Sequence, residues 1–304
     1  MKISGFSFVR NGVKLYYPAA EAIKSILPIC HEFIVAVGQG DEDDNTREVI
    51  EAIGDPRIKI IDTVWDLDNQ PYHGAENARQ TNIALDACTG DWCFYLQADE
   101  VVHEKYLPVI ENRCLESLEI KEIEGLLFRY KHFWGDYQHY HQGHGWYSRE
   151  IRIIRNNIGV RSHLSAQSFK IGERKLRVAN AGAEIYHYGW VRPPHLMQNK
   201  RKSLDTIHWG EKKVKEMYKD SAPEFDYGPL NLLAEFKGTH PEVMKEMISR
   251  FNWRDKLQYS GKPNTSRAPH KHEKFKYRLL SFIENKLLGG KKLGEYRNYI
   301  LIKR

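Results

Sequence analysis

The stretch DWCFYLQADE, residues 91–100, decides the fold. Trp92 to Leu96 form a short run of aromatic and apolar residues, the pattern of a strand buried on both faces. The run ends in Gln97-Ala98-Asp99-Glu100, with His103 and Glu104 close behind. A strand that only turns away at the surface needs one polar residue. Adjacent carboxylates at the mouth of a sheet suit a bound cation or a phosphate-bearing ligand. Capping of the next turn is the plainer use of the same two acids.

Upstream, strand and helix patterns alternate. KISGFSFV (2–9), EFIVAVG (32–38) and IKIIDTVW (58–65) read as strands. KLYYPAAEAIKSIL (14–27), DNTREVIEAIG (44–54) and ENARQTNIALDAC (76–88) read as helices; Asn45 or Thr46 is placed to cap the second, and Gly54 follows its end. Such alternation predicts an α/β fold: a mostly parallel central sheet, Rossmann-like, with right-handed crossovers and helices on both faces. Ligands on these sheets sit beyond the carboxyl ends of the strands. Those ends read VRNG, VGQGDEDD, VWDLD and LQADE, and three of the four carry acids.

The second half changes character. EGLLFRYKHFWGDY (124–137), REIRIIRN (149–156) and KLRVANAGAEIYHYGWV (175–191) read as strands around an aromatic, histidine-rich segment, GDYQHYHQGHGWYSRE (135–150). Beyond Pro193-Pro194 the chain turns polar and helical, and SGKPNTSRAPHKHEK (260–274) reads as a linker.

Bulk composition narrows the class. A chain of 304 residues with 41% apolar and 12% aromatic residues supports a sizeable core. The four cysteines, Cys30, Cys88, Cys93 and Cys114, have no CxxC spacing, which argues against a zinc module or a disulfide scaffold and suits a reducing compartment. No run approaches the ~20 apolar residues of a membrane span, and MKISGFSFVRNG is not a signal peptide. The expected location is cytoplasmic, with peripheral contact at the inner face of a membrane as an extension. The formal charge of +6 is uneven: residues 261–304 hold 12 Lys+Arg against 3 acids, leaving the rest near −3. A near-neutral body with a basic tail does not describe a nucleic-acid binder.

The order FVRNG (8–12), an acidic turn ending DDNT (43–46), ARQTNIAL (78–85), then TGDWCFYLQADE (89–100) resembles family 2 glycosyltransferases of the GT-A fold. EIRIIRN (150–156) and IYHYGWVRPPHLMQNK (185–200) look like a bacterial subgroup of it. The resemblance spans roughly residues 3–210. It implies a GT-A domain over 1–210, with a nucleotide-sugar half (1–105) and an acceptor half (106–210), followed by a helical extension (211–260) and a basic C-terminal tail (261–304). It also implies an acidic DxD motif that binds a divalent cation, Mn²⁺ or Mg²⁺, and the diphosphate of a UDP-linked sugar. Here that triplet reads Gln97-Ala98-Asp99, so its first carboxylate is an amide. Gln97 still offers hydrogen bonds to a ribose hydroxyl but supplies no charge.

Asp99 is then the expected metal ligand, with Glu100 a second ligand or its support, and His187 the late histidine that completes the site. Phe8, Arg10 and Asn11 are expected at the nucleotide. Asp41 or Asp43 is placed to accept from a uracil N–H or a ribose hydroxyl; a solvated turn at a helix N-terminus is the alternative. Arg79 is placed to offset phosphate charge. Inversion needs a carboxylate to take the acceptor's proton. Glu150 is the choice, ahead of Asp136 and Glu184, against a salt bridge to Arg149 or Arg152. Trp134, Trp146 and Tyr147, among His132, His139, His141 and His144, suit stacking on an acceptor sugar better than a zinc site, since no acid or cysteine is spaced as a matched ligand. The expected partners are a nucleotide-sugar donor and a glycan, lipid-linked or lipopolysaccharide acceptor. The basic tail suits either an anionic membrane surface or a helix docked on the body.

Three rivals differ in what they need. A nucleotidyltransferase needs a Gly-rich, basic loop after the first strand, which FVRNGVKLYY lacks. A dinucleotide dehydrogenase needs G-x-G-x-x-G after a strand. A non-catalytic nucleotide- or sugar-binding protein is prompted by Gln97.

Overall fold

The structure, a computed structural model, describes residues 1–67 and 74–302. Asp68, the last acid of VWDLD, lies outside the described residues. The elements run β1 (Ile3–Val9), α1 (Ala19–Ile26), β2 (Glu32–Gly38), α2 (Thr46–Glu51), β3 (Ile58–Thr63), α3 (Ala75–Asp86), β4 (Trp92–Tyr95), β5 (Glu100–Val102) and α4 (Leu107–Leu118). Then come β6 (Gly125–Trp134), β7 (His139–His141), β8 (Arg149–Arg155), β9 (Val160–His163), β10 (Ser168–Ile171), β11 (Arg174–Trp190), α5 (Pro194–Trp209) and α6 (Glu211–Met217). The chain closes with β12 (Ala234–Glu235), α7 (Lys245–Ser249), α8 (Phe275–Phe282) and β13 (Tyr299–Leu301).

The main sheet has the order β3-β2-β1-β4-β8-β6-β11-β10-β9. It is mixed, which corrects the expectation of a mostly parallel sheet. The first four strands are parallel. β8 then enters antiparallel between β4 and β6. The cause is local: no helix separates β6 from β8, and parallel neighbours are usually joined by a crossover helix. β6 and β11 are parallel again, and β10 and β9 finish antiparallel.

Every residue of β2 is buried, as its unbroken apolar run predicts, whereas edge strand β3 is only half-buried. One face of the sheet packs Ile23 and Ile26 of α1 and Ile110 of α4 against Phe33, Trp92, Phe94 and Phe128. The other packs Ala84 and Leu85 of α3 against Phe6, Ile34 and Tyr95. A third cluster joins Phe133, Tyr186 and Tyr188 to Phe225, Leu230, Met244 and Trp253, so residues 211–260 share a core with β6 and β11. The tail also returns to the body. β13 pairs with the start of β11 at Leu176↔Tyr299, and buried Glu284 binds His144 and Lys292. All four cysteines are free and buried.

Candidate functional site

A cavity of about 360 Å³ opens where β1, β3 and β4 end, beneath α5. This is the position at which parallel α/β sheets bind ligands. Sheet register assembles its floor. β5 pairs antiparallel with β11 at His187↔Glu100, and the Tyr188 amide donates to the Asp99 carbonyl at 2.8 Å. β6 pairs with β11 at His187↔His132. Asp99, His187 and His132 come from three distant segments and meet because of these pairings.

His187 Nε2 lies 3.7 Å from Asp99 Oδ1. Hydrogen bonding fixes which nitrogen carries the proton. His132 Nε2 lies 2.8 Å from the Tyr147 carbonyl, which only accepts, so Nε2 bears the hydrogen. Burial, then the neighbouring His187, pushes His132 well below the usual imidazole range, so the ring is neutral and its Nδ1 accepts. That Nδ1 lies 3.0 Å from His187 Nδ1, which therefore donates. Burial also lowers His187 against the pull of Asp99. Its Nε2 lone pair is left facing the Asp99 carboxylate.

Glycine keeps the space between them clear. A Cβ at Gly189 would stand 2.5 Å from His187 Nε2 and 2.7 Å from Asp99 Oδ2. Two donors about 2.1 Å from one ion lie roughly 3.0–4.2 Å apart, so the observed pair fits a divalent cation. Among the described residues no group of three or more His, Cys, Asp and Glu could hold a metal. The protein would give two ligands and leave the other positions to phosphate and water, as Mg²⁺ and Mn²⁺ sites commonly do. Gly189→Ala is expected to weaken Mn²⁺ binding about 100-fold in a calorimetric titration. Wild-type affinity in that variant would remove the ion from this pair. His132→Phe, which frees the His187 tautomer, is expected to weaken Mn²⁺ roughly tenfold by the same measurement. Unchanged affinity would show that the tautomer is set elsewhere.

The surrounding charge is cationic. Lys200 of α5 donates to Asp99 Oδ2 at 3.0 Å and to the Gly189 carbonyl at 2.7 Å. Fully buried Arg192 donates to the same carbonyl and to that of Leu15. Burial would raise the Asp99 carboxyl, but the Lys200 ammonium and the Arg192 guanidinium outweigh it and hold Asp99 well below the usual carboxylate range. Burial and Arg192 bring the Lys200 ammonium down to about 8 despite Asp99. Around one carboxylate, two buried cations leave an excess positive charge. Arg10, Arg152, Lys200 and Arg201 line the cavity, and among the described residues Asp99 is the one acid of its lining. Such a wall attracts an anionic ligand.

The far end is aromatic. Phe8 and Trp65 rings lie 6.0 Å apart, and the Arg10 guanidinium sits 5.6 Å from the Trp65 ring. Trp65 lies so close over Gly38 that a Cβ there would be 2.2 Å from Trp65 Nε1. Asn77 Oδ1 is buried without a partner among the described residues, and Asn77 lines the cavity.

Of the residues expected at the site, Phe8, Arg10, Asn11, Gln97, Asp99 and His187 line this one cavity. Asp41, Asp43 and Arg79 do not. Lys14 Nζ binds Asp41 and Asp43 at 2.7 and 2.6 Å, holding the acidic turn to the surface. Arg79 is engaged by Glu76 and the Val64 carbonyl. Glu100 cannot serve as a ligand: it is fully buried in a two-pronged pair with Arg152, and Tyr130 also donates to it.

Glu150 lines a second cavity, of about 320 Å³, whose wall shares Tyr147 and Gln167 with the first. It is paired with neither Arg149 nor Arg152; Asn298 Nδ2 donates to it at 2.9 Å. Burial, opposed by Arg152, raises its carboxyl to about 7. The other acids considered are committed elsewhere: Asp136 accepts from the Gln138 and His139 amides, and Glu184 accepts from Tyr106 and Lys131. Trp134 is buried and stacked on Trp190, so it offers no face to a sugar, whereas Trp146 and Tyr147 line the second cavity.

The sequence does not mark Lys200 or Trp65 as site residues, and it offers Arg152 only as an alternative partner of Glu150. Lys200 ends the segment IYHYGWVRPPHLMQNK. Arg152 stands mid-strand in REIRIIR, where a buried arginine requires an acid partner.

No family model matches the chain. No curated protein matches it. Solved structures resemble part of it. S. aureus TarS 1-349 shares 17% identity at a TM-score of 0.32, over 44% of this chain and 36% of that one. The same protein in complex with UDP-GlcNAc shares 19% at 0.31, over 44% and 35%. Glucosyl-3-phosphoglycerate synthase from Mycobacterium tuberculosis, in complex with Mn²⁺, UDP and phosphoglyceric acid, shares 19% at 0.29, over 42% of each chain. This chain thus spans well under half the length of each.

Proposed function

We propose that the chain is a GT-A-type glycosyltransferase, of the family 2 kind, moving a sugar from a UDP-linked donor to a glycan, lipid-linked or lipopolysaccharide acceptor with inversion. The observation that carries this is the Asp99 carboxylate and the bare His187 nitrogen converging over Gly189, inside a cation-walled cavity. Mn²⁺ or Mg²⁺ held there would supply the positive charge that a departing diphosphate requires. Arg10, Lys200 and Arg201 would hold the phosphates. Phe8, Asn11, Trp65 and the unpartnered Asn77 oxygen would receive the nucleoside, with Gln97 near the ribose.

The acceptor would occupy the second cavity. Its hydroxyl oxygen forms a bond to the anomeric carbon while the bond from that carbon to the diphosphate breaks. The hydroxyl proton passes to Glu150, and the electron pair leaves with the nucleoside diphosphate. A base whose carboxyl titrates near 7 is suited to this step. The setting would be cytoplasmic, in cell-envelope polysaccharide synthesis, with contact at the inner face of a membrane.

Calorimetric titration with UDP, with and without Mn²⁺, together with a screen of UDP-sugar hydrolysis, tests the reading. Mn²⁺-dependent binding with turnover is expected. Tight UDP binding without turnover would point to a binding protein instead, and sugar-phosphate plus nucleoside triphosphate turnover to a nucleotidyltransferase.

A further inference from the structure

The segment carrying α8 has one face tied to the body and another facing outward. On the inner side Ser281 Oγ accepts from the His144 amide at 2.8 Å, Glu284 is fully buried on His144, and Tyr277 packs on the His144 ring. On the outer side Phe275, Leu279 and Phe282 follow at i, i+4 and i+7, which places them on one stripe of the helix. They are 78%, 48% and 57% exposed, and Leu287 just beyond is 68% exposed. Two phenylalanines this open on a helix already anchored by its other face serve no core. Single exposed apolar residues need no explanation, but a contiguous stripe marks an interaction surface.

Charge narrows the partner. Lys274, Lys276, Arg278, Lys286 and Lys291 are all exposed around the stripe. The one acid between residues 274 and 292 is Glu284, which is buried and bound to Lys292. An apolar stripe rimmed by cations and free of exposed acids is complementary to anionic headgroups above acyl chains. A second copy of this chain would bring the same cations against these, so self-pairing is disfavoured by like charge.

Position adds a consequence. Lys292, Leu293 and Tyr296, continuing from this segment, line the second cavity, and Tyr296 is 82% exposed. We propose that the outer face of α8 docks on a bilayer rich in anionic lipid, holding the Glu150 cavity at the membrane surface. The docking stands on its own; only the step that a lipid-linked acceptor enters there rests on the transferase reading.

Vesicle flotation of the full chain, without nucleotide, tests it. Phosphatidylcholine vesicles are compared with vesicles carrying phosphatidylglycerol, in dilute salt. Binding to the anionic vesicles is expected to exceed binding to neutral ones by at least about tenfold, and to weaken in concentrated salt. A Phe275→Ser/Phe282→Ser variant is expected to lose about tenfold in vesicle binding while binding UDP with Mn²⁺ as the wild type does. Equal binding to both vesicles, no binding to either, or undiminished binding by the variant overturns the proposal. So does a wild-type dimer in vesicle-free solution that becomes monomeric in the variant, since a second copy would then cover the stripe. If vesicle binding holds while UDP binding and turnover fail, the docking surface stands and the transferase reading falls.

Discussion

Asp99→Asn is expected to lower UDP-sugar turnover about 1,000-fold or more, and to abolish the difference between assays with and without Mn²⁺. The side chain keeps its shape but loses the charge that would hold the cation. The same substitution leaves Lys200 and Arg192 without their buried counter-charge, and removal of one partner from a buried pair costs about 3–5 kcal/mol. Lys200 moderates this. Its ammonium already titrates near 8 beside Asp99, so in the variant it sheds its proton near neutral pH. Stability should therefore fall by about 3 kcal/mol, read from denaturant unfolding, with the variant still folded at 25 °C. A folded variant that keeps Mn²⁺-dependent turnover would remove Asp99 from the metal. An unfolded one would be replaced by Gly189→Ala, which crowds the same space without removing a charge.

Glu150→Gln is expected to lower kcat by about 100- to 10,000-fold with little change in the KM for donor, because Glu150 lines the second cavity, proposed for the acceptor, and not the first, proposed for the donor. The pH profile of the wild type carries the sign. Burial raises the Glu150 carboxyl to about 7, so below that pH the group is protonated and cannot accept the acceptor's proton. The rate should rise about tenfold per pH unit up to roughly 7 and flatten above it. Asn298 donates to the carboxylate and so favours its charged form. Asn298→Leu should move the rising limb to higher pH without lowering the plateau. A profile that ignores Asn298, or a Glu150→Gln enzyme with wild-type kcat, would assign the proton to another group.

How much of this was legible before the structure follows from the kind of signal. β1 to β4 could be read because strand-like runs alternate with periodic helices, and the buried central runs EFIVAVG and WCFYL leave little choice. Strand order was not readable, since no feature of REIRIIRN states that it lies between β4 and β6. Its direction was readable in principle. The aromatic segment between β6 and β8 has no helical pattern, and without a crossover helix a neighbouring strand returns antiparallel. Extending the first-half alternation to the whole sheet caused the error.

At the site, Asp99 stands out as an acid just past an apolar run, and His187 through the family resemblance. Their partners do not. His132 reaches His187 through the β6–β11 register, and Lys200 reaches Asp99 from a helix 101 residues away. Asp41 and Asp43 show the opposite failing. Their carboxylates look available in sequence, yet Lys14 from the preceding loop claims both.

The most direct test is anomalous diffraction from crystals grown with Mn²⁺ and UDP. A single strong manganese peak is expected about 2.1–2.3 Å from an Asp99 oxygen and from His187 Nε2, with diphosphate oxygens completing its shell. A manganese peak elsewhere, or UDP bound in the cavity with His187 Nε2 facing no ion, would contradict the proposal.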